Sequence, residues 1–243
     1  MTVLPWCADT RARTPLRTET EMRSEFCSSC HQFSADGFAL NGKLLENTYE
    51  EWKASPAARD GLECQGCHMP DRRHRWRGIH DPDMVKSAVD IRLTMERPRY
   101  RPGDEVRATM TIAASRVGHF FPTYVTPTVT VRFALVDATG KSVGGSVKEH
   151  RIGREVSLDL SREVADTRIP PGGSAAFEYR RRLGQSGLRL RATVTVFPDD
   201  FYTGLFESLL RSGAGSGTQQ IHEALDASRR SSFEIWTRDL PLT

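Results

Sequence analysis

The 243-residue chain has no apolar run long enough to span a bilayer, which excludes a membrane-spanning helix. Its opening, MTVLPWCADTRART, has neither a basic n-region nor an apolar h-region, so no export signal is written there. The net charge of +3 is mild, and the arginines are spread without interleaved aromatics, which sets nucleic acid aside as a partner. Gly213, Gly215 and Gly217 do not follow a strand pattern, which removes a dinucleotide-binding reading. Cysteine is absent beyond position 67. All five cysteines lie at or before that point, and four of them form two Cys-x-x-Cys pairs.

What is there divides into two kinds of sequence. With 38% hydrophobic and 27% charged residues the chain is an ordinary globular one rather than a disordered one. Up to about Ser87 it reads as short helices and loops. Thr48 stands three residues before Glu51, which predicts a capping box at the start of a helix, and Pro56 after Ser55 opens a second helical piece that Gly61 ends. Val and Ile are too few here to build a core, so something other than side chains is expected to fill it.

From Ser87 onward apolar and polar residues alternate. SAVDIRLTME, DEVRATMTIAAS, PTVTVRFALVD, SAAFEYRRRL and LRLRATVTVF each predict a strand, separated by the turn signals RPGD, DATGK and PPGG. That pattern predicts an antiparallel β-sandwich of immunoglobulin or fibronectin-like type. The tail reads as two helices, YTGLFESLLRS and QQIHEALDASRR, around a GAGSG loop, with SSFEIWTRDL returning as an edge strand. The expected fold class is α+β: a helical and loop segment over 1–86, a β-sandwich over 87–200, and helices with an edge strand over 201–243.

Each Cys-x-x-Cys pair is followed at once by histidine, giving Cys27-Ser-Ser-Cys30-His31 and Cys64-Gln-Gly-Cys67-His68. This is the attachment signature of c-type haem. Cysteines three apart lie on one side of a helical turn, where each sulfur can form a thioether with one vinyl group, and the next histidine is held under the iron as its proximal ligand. Two covalent haems would also supply the apolar bulk that the first segment lacks. A tetrahedral zinc site and a thioredoxin-like dithiol compete with this reading. Zinc needs no histidine after each pair, and no βαβ pattern frames either pair.

A haem with one protein ligand is open to reaction, and one with two is suited to electron transfer. Candidates for the distal places are His80, His119 and His74, with His80 and His119 first. Met69 adjoins His68 and cannot reach the opposite face of the same haem. Arg72, Arg73, Arg75 and Arg77 suit haem propionates as well as solvent. His119 lies in Gly-His-Phe-Phe-Pro-Thr, an apolar loop tip between two predicted strands; its other reading is a polar residue at a sheet edge. His150 and His222 read as surface residues.

The run from Phe26 to Phe33, Thr48 to Trp52, Cys64 to Pro70 with His74, Gly78 and His80, and Gly118-His-Phe-Phe-Pro-Thr123 resembles the bacterial multihaem c-type cytochromes in which a haem-bearing segment precedes a β-sandwich. Tyr124 stands where that group usually has Gly. The resemblance implies export to the periplasm or cell exterior, low-spin haems with two histidine ligands each, and redox proteins or further multihaem modules as partners. It implies an electron carrier rather than an enzyme. A multihaem enzyme acting on a small nitrogen compound and a zinc-structured binding module are the alternatives. Such proteins carry a signal peptide and usually more haems, so the start is expected to be truncated, with Cys7 outside both motifs.

Overall fold

The computed structural model describes residues 23–73 and 77–242. Short elements come first. Helix α1 (Ser24–His31) carries the first motif along its length. Strands β1 (Ala39–Leu40) and β2 (Lys43–Leu44) pair as a small hairpin around Asn41 and Gly42, both at positive φ, as a two-residue turn requires. Helix α2 (Thr48–Lys53) leads to α3 (Pro56–Arg59), which Ser55 caps by accepting from the Ala58 amide while Pro56 supplies the first helical residue. Helix α4 (Cys64–His68) is the second motif. Asp81 caps α5 (Pro82–Ala88) through the Asp83 and Met84 amides.

The capping box expected at Thr48 does not form. Asn47 is the N-cap, and the Glu51 carboxylate is turned away from the helix start toward residues 120–123 and Arg168. A stronger set of donors has taken the acceptor that the box would have used.

Nine strands follow: β3 (Asp90–Met95), β4 (Glu105–Ala113), β5 (Thr128–Val136), β6 (Lys148–Ile152), β7 (Arg154–Val156), β8 (Glu163–Asp166), β9 (Ser174–Arg182), β10 (Arg189–Phe197) and, after helices α6 (Asp200–Ser212) and α7 (Thr218–Arg230), β11 (Phe233–Pro241). Each of the five alternating segments becomes a strand, and the returning strand at the tail pairs with β10. All sheets are antiparallel, so the chain has the α+β composition expected of it. One sheet has the order β3-β4-β9 and the other β11-β10-β5-β6, while β7 and β8 form a separate hairpin.

The alternation explains the burial. Along β4, Val106, Ala108, Met110 and Ile112 are buried while Glu105 and Arg107 face out. Val129, Val131, Phe133 and Leu135 of β5 meet Leu190, Ala192, Val194 and Val196 of β10, and all join one apolar cluster with the β4 residues. This cluster reaches back to Val85 of α5 and Ile79, and no further toward the motifs.

Ahead of α5, attachment is polar. Arg154, whose side chain is 1% exposed, pairs with Glu163 and donates to the carbonyls of Leu40, Lys43 and Leu44, pinning the β1–β2 hairpin to β7. Replacing Arg154 with Met would leave those carbonyls without their donor. It is expected to cost about 3–5 kcal/mol, as when one member of a buried charge pair is removed. Urea denaturation should record that loss, with early amide exchange at residues 39–44; a hairpin that stays protected in Arg154→Met would show that its anchor lies elsewhere.

Candidate functional site

The two motif helices meet at their N-terminal ends. The Ser24 amide and hydroxyl both donate to Glu63 Oε2, the Cys64 amide donates to Ser24 Oγ at 2.9 Å, and Gln65 Nε2 donates to the Arg23 carbonyl at 2.8 Å. The same amide approaches Cys27 Sγ at 3.5 Å. Cys27 and Cys64 are therefore neighbours. The hydrogen bond between them lowers the Cys64 thiol and raises that of Cys27, and burial raises both Cys27 and Cys67. Cys27, Cys64 and Cys67 are free thiols. Cys30 is disulfide-bonded, so its sulfur becomes available for a thioether only on reduction.

His68 ends α4 and faces His119. Their ring centroids are 6.1 Å apart and their planes differ by 21°. His68 Nδ1 donates to the Arg77 carbonyl at 2.7 Å, and His119 Nδ1 donates to the Phe120 carbonyl at 2.8 Å. A carbonyl can only accept, so both rings carry their proton on Nδ1 and leave the Nε2 lone pair free. Burial pushes both imidazoles down, His119 to about 4, and nearby His31 adds to each shift; the rings are neutral near pH 7, as a metal ligand must be. Arg77, which supplies the carbonyl, is held through its side chain by Asp81 at 2.7 Å rather than free to reach an anion.

The loop bearing His119 is tightly held. Phe121 exchanges both backbone hydrogen bonds with Ile169, at 2.8 and 2.9 Å, and Phe121-Pro122 is a cis peptide. Gly118 allows close approach, because a Cβ there would come within 3.2 Å of Trp52 Cδ1 and 3.3 Å of Ala57 Cβ. Glu51 accepts from the Phe120 amide at 3.0 Å and from Thr123 Oγ1 at 2.7 Å. Burial raises its carboxyl, while Thr123 and Arg168 act in the opposite direction.

His31 lies at the other end of this loop. Its Nδ1 is 2.7 Å from Tyr124 Oη, and the Tyr124 hydroxyl donates to Glu46 Oε1 at 3.2 Å. His80, expected as a distal ligand, is exposed and bonds Asp199 through Nε2 at 3.1 Å. His74 and Arg75 lie outside the described residues. His150 stands between Phe133 and Phe177, with Nε2 at 3.1 Å from the Glu178 carbonyl, while His222 is exposed. Tyr124, Glu46, Glu51 and Arg168 were not singled out as site residues in the sequence. Only Tyr124, standing in place of a usual Gly, carried a signal.

No family model and no curated protein matches the chain. Among solved structures, a penta-haem cytochrome c552 from Thermochromatium tepidum superposes with a TM-score of 0.63 at 16% identity, covering 98% of this chain and 65% of that one. The likeness is one of fold, and the chain spans just under two thirds of that protein's length. The C-terminal domain of Wzt gives 0.26 at 10% identity over 44% of this chain and 60% of that one. An alkylpurine DNA glycosylase from Pseudomonas fluorescens gives 0.26 at 11% over 60% of this chain and 38% of that one. These two scores are too low to bear on the fold. Among the described residues no helix is long and apolar enough to cross a membrane.

By their ring-to-ring distance, His68 and His119 are the two residues that could hold a haem iron between them. A metal–nitrogen bond of about 2 Å and about 1.1 Å from nitrogen to ring centre, on each side, places the centroids about 6 Å apart. Among the described residues no three His, Cys, Asp or Glu side chains converge as a bare metal ion would require.

The depressed His119 value makes the cofactor-free chain acid-sensitive. The folded value of about 4 lies below the ordinary 6.5, so the unfolded chain binds more protons between them. Stability is therefore full above about pH 6.5 and falls as pH drops toward about 4. Urea midpoints across that range should show the decline, and His119→Phe should flatten it; an unchanged slope would mean that the ring is protonated in the folded chain.

Proposed function

We propose that this chain is an electron-transfer c-type cytochrome unit carrying two covalently attached haems. The single observation that carries the reading is the His68–His119 pair: two neutral imidazoles at axial spacing, one of them the last residue of a Cys-x-x-Cys-His helix. The fold likeness to a penta-haem cytochrome supports it. A haem iron with two histidine ligands changes between ferric and ferrous without opening a coordination place, so it passes single electrons.

In this reading Cys64 and Cys67 tether one haem, with His68 proximal and His119 distal. Cys27 and Cys30 tether the other, with His31 proximal and His74 and His80 as candidates opposite it. The carbonyls of Arg77 and Phe120 fix the tautomer and ring orientation of the first pair. Exposed apolar side chains flank both motifs, Phe26 at 45% and Leu62 at 54%, and suit contact with porphyrin edges.

The two sheets, three strands in the order β3-β4-β9 and four in the order β11-β10-β5-β6, suit an immunoglobulin or fibronectin-like sandwich over 87–200, behind a haem segment over 1–86 and ahead of a tail over 201–243. It would scaffold the His119 loop and offer a docking face to redox proteins or further haem modules. Thioether formation at such motifs takes place outside the bacterial cytoplasm, which puts the working protein in the periplasm or beyond.

Expression behind an export signal with c-type maturation machinery, followed by denaturing mass spectrometry, tests this directly. Two haem masses should survive unfolding, and Cys64→Ala with Cys67→Ala should remove one of them. An unmodified mass would end the reading. With both haems bound, His119→Ala should turn one from low-spin to high-spin and open it to carbon monoxide; a spectrum unchanged by that substitution would remove His119 as a ligand.

A further inference from the structure

The second motif reaches His119 across a loop whose geometry is set from outside it, and one buried carboxylate sits at the centre of that arrangement. Resting on the haem reading of residues 64–68, we propose that Glu51 is the positioning residue that presents His119 to the iron held by His68.

The Glu51 side chain is 5% exposed, and both of its oxygens are used. Oε2 accepts from the Phe120 amide at 3.0 Å and from Thr123 Oγ1 at 2.7 Å; Oε1 accepts from Arg168 Nη1 at 3.0 Å. Phe120 is the residue whose carbonyl receives His119 Nδ1, so one carboxylate fixes the residue that in turn fixes the ring. Arg168 completes the grip. It donates to the Thr123 carbonyl at 2.8 Å, lies 4.8 Å from the centre of the Phe120 ring, and is itself held by both Asp166 oxygens at 2.9 Å.

A buried ion pair is a poor way to gain stability, because desolvating both charges cancels most of their attraction. It is a good way to define geometry, since each oxygen accepts only from donors at the right place. Glu51 lies on α2, and its neighbour Trp52 is the side chain that a Cβ on Gly118 would strike. The residues on either side of His119 are thus both referred to the same short helix. A metal ligand must be held to within about 0.5 Å of its productive place. Glu51 ties the His119 loop to α2, and the next residue, Trp52, donates through Nε1 to the Leu62 carbonyl at 2.8 Å, just ahead of α4.

A purely structural role predicts a loss of stability and nothing more, so the test needs a signal that stability does not move. Wild type, Glu51→Gln and Glu51→Ala would be compared as matured full chains by electron paramagnetic resonance, carbon monoxide binding and denaturing mass. Asp239→Asn, which weakens the distant Arg191–Asp239 pair, serves as control. Both haem masses are expected in every protein. Glu51→Ala should show a high-spin signal and carbon monoxide binding at one haem, Glu51→Gln a smaller share of both, and Asp239→Asn neither. In the haem-free chain, Glu51→Gln should speed exchange of the Phe120 amide by about tenfold or more relative to amides of the β5–β10 pair.

A low-spin spectrum without carbon monoxide binding in Glu51→Ala overturns the proposal, however much stability is lost. If Glu51→Ala does not fold, Glu51→Gln decides: unchanged Phe120 exchange and an unchanged spectrum overturn it. Absence of haem from the wild type refutes the haem reading instead, and is told apart from failure of this inference by mass alone.

Discussion

Residues 23 to 78 have almost no share in the apolar core, and everything about the motif-bearing part depends on how it is held without one. The solution is a line of charges that runs over its boundary with the sheets. Arg154 grips the β1–β2 hairpin and Glu163; Glu163 pairs with Lys43 at 2.7 Å; Lys43 pairs with Asp166; Asp166 holds Arg168, and Arg168 holds Glu51. Such a line contributes less than hydrophobic burial would, but its members accept only one arrangement, which fixes the first segment in register against the loop at 118–124. Burial shows its effect along the line: the Asp166 carboxyl is depressed despite desolvation because Arg168 and Lys43 both favour its charged form.

This division of labour explains what was legible in the sequence. The strands were readable because period-two alternation reflects a local rule, the two faces of a sheet, and the five alternating segments all became strands. The Cys-x-x-Cys-His motifs were readable because their geometry is contained within one turn of helix. The hairpin at Asn41-Gly42 had its turn signal, but two-residue strands are too short to show alternation. The β7–β8 hairpin also escaped notice, because its inward residue Arg154 is polar and disguises a buried position.

What could not be read is the partnering of polar groups far apart in the chain. Glu51 looked like half of a capping box because Thr48 stood at the right offset, and nothing nearby announced Arg168 or the Phe120 amide. His119 could be named as a candidate from its apolar loop, but only the folded chain sets it against His68. His80 was as good a candidate by sequence and is found beside Asp199, near the start of α6, because a carboxylate on an adjacent loop offers an exposed imidazole an immediate partner.

The loop from Gly118 to Tyr124 touches the histidines of both motifs, through His119 at one end and the Tyr124 hydroxyl at the other. Two histidines that contact one segment are not independent variables. Residues that share a contacting segment couple, and the free-energy cost of altering both together differs from the sum of altering each alone. Substitutions near His31 therefore cannot be tolerated or rejected on their local merits. They are judged together with those near His68.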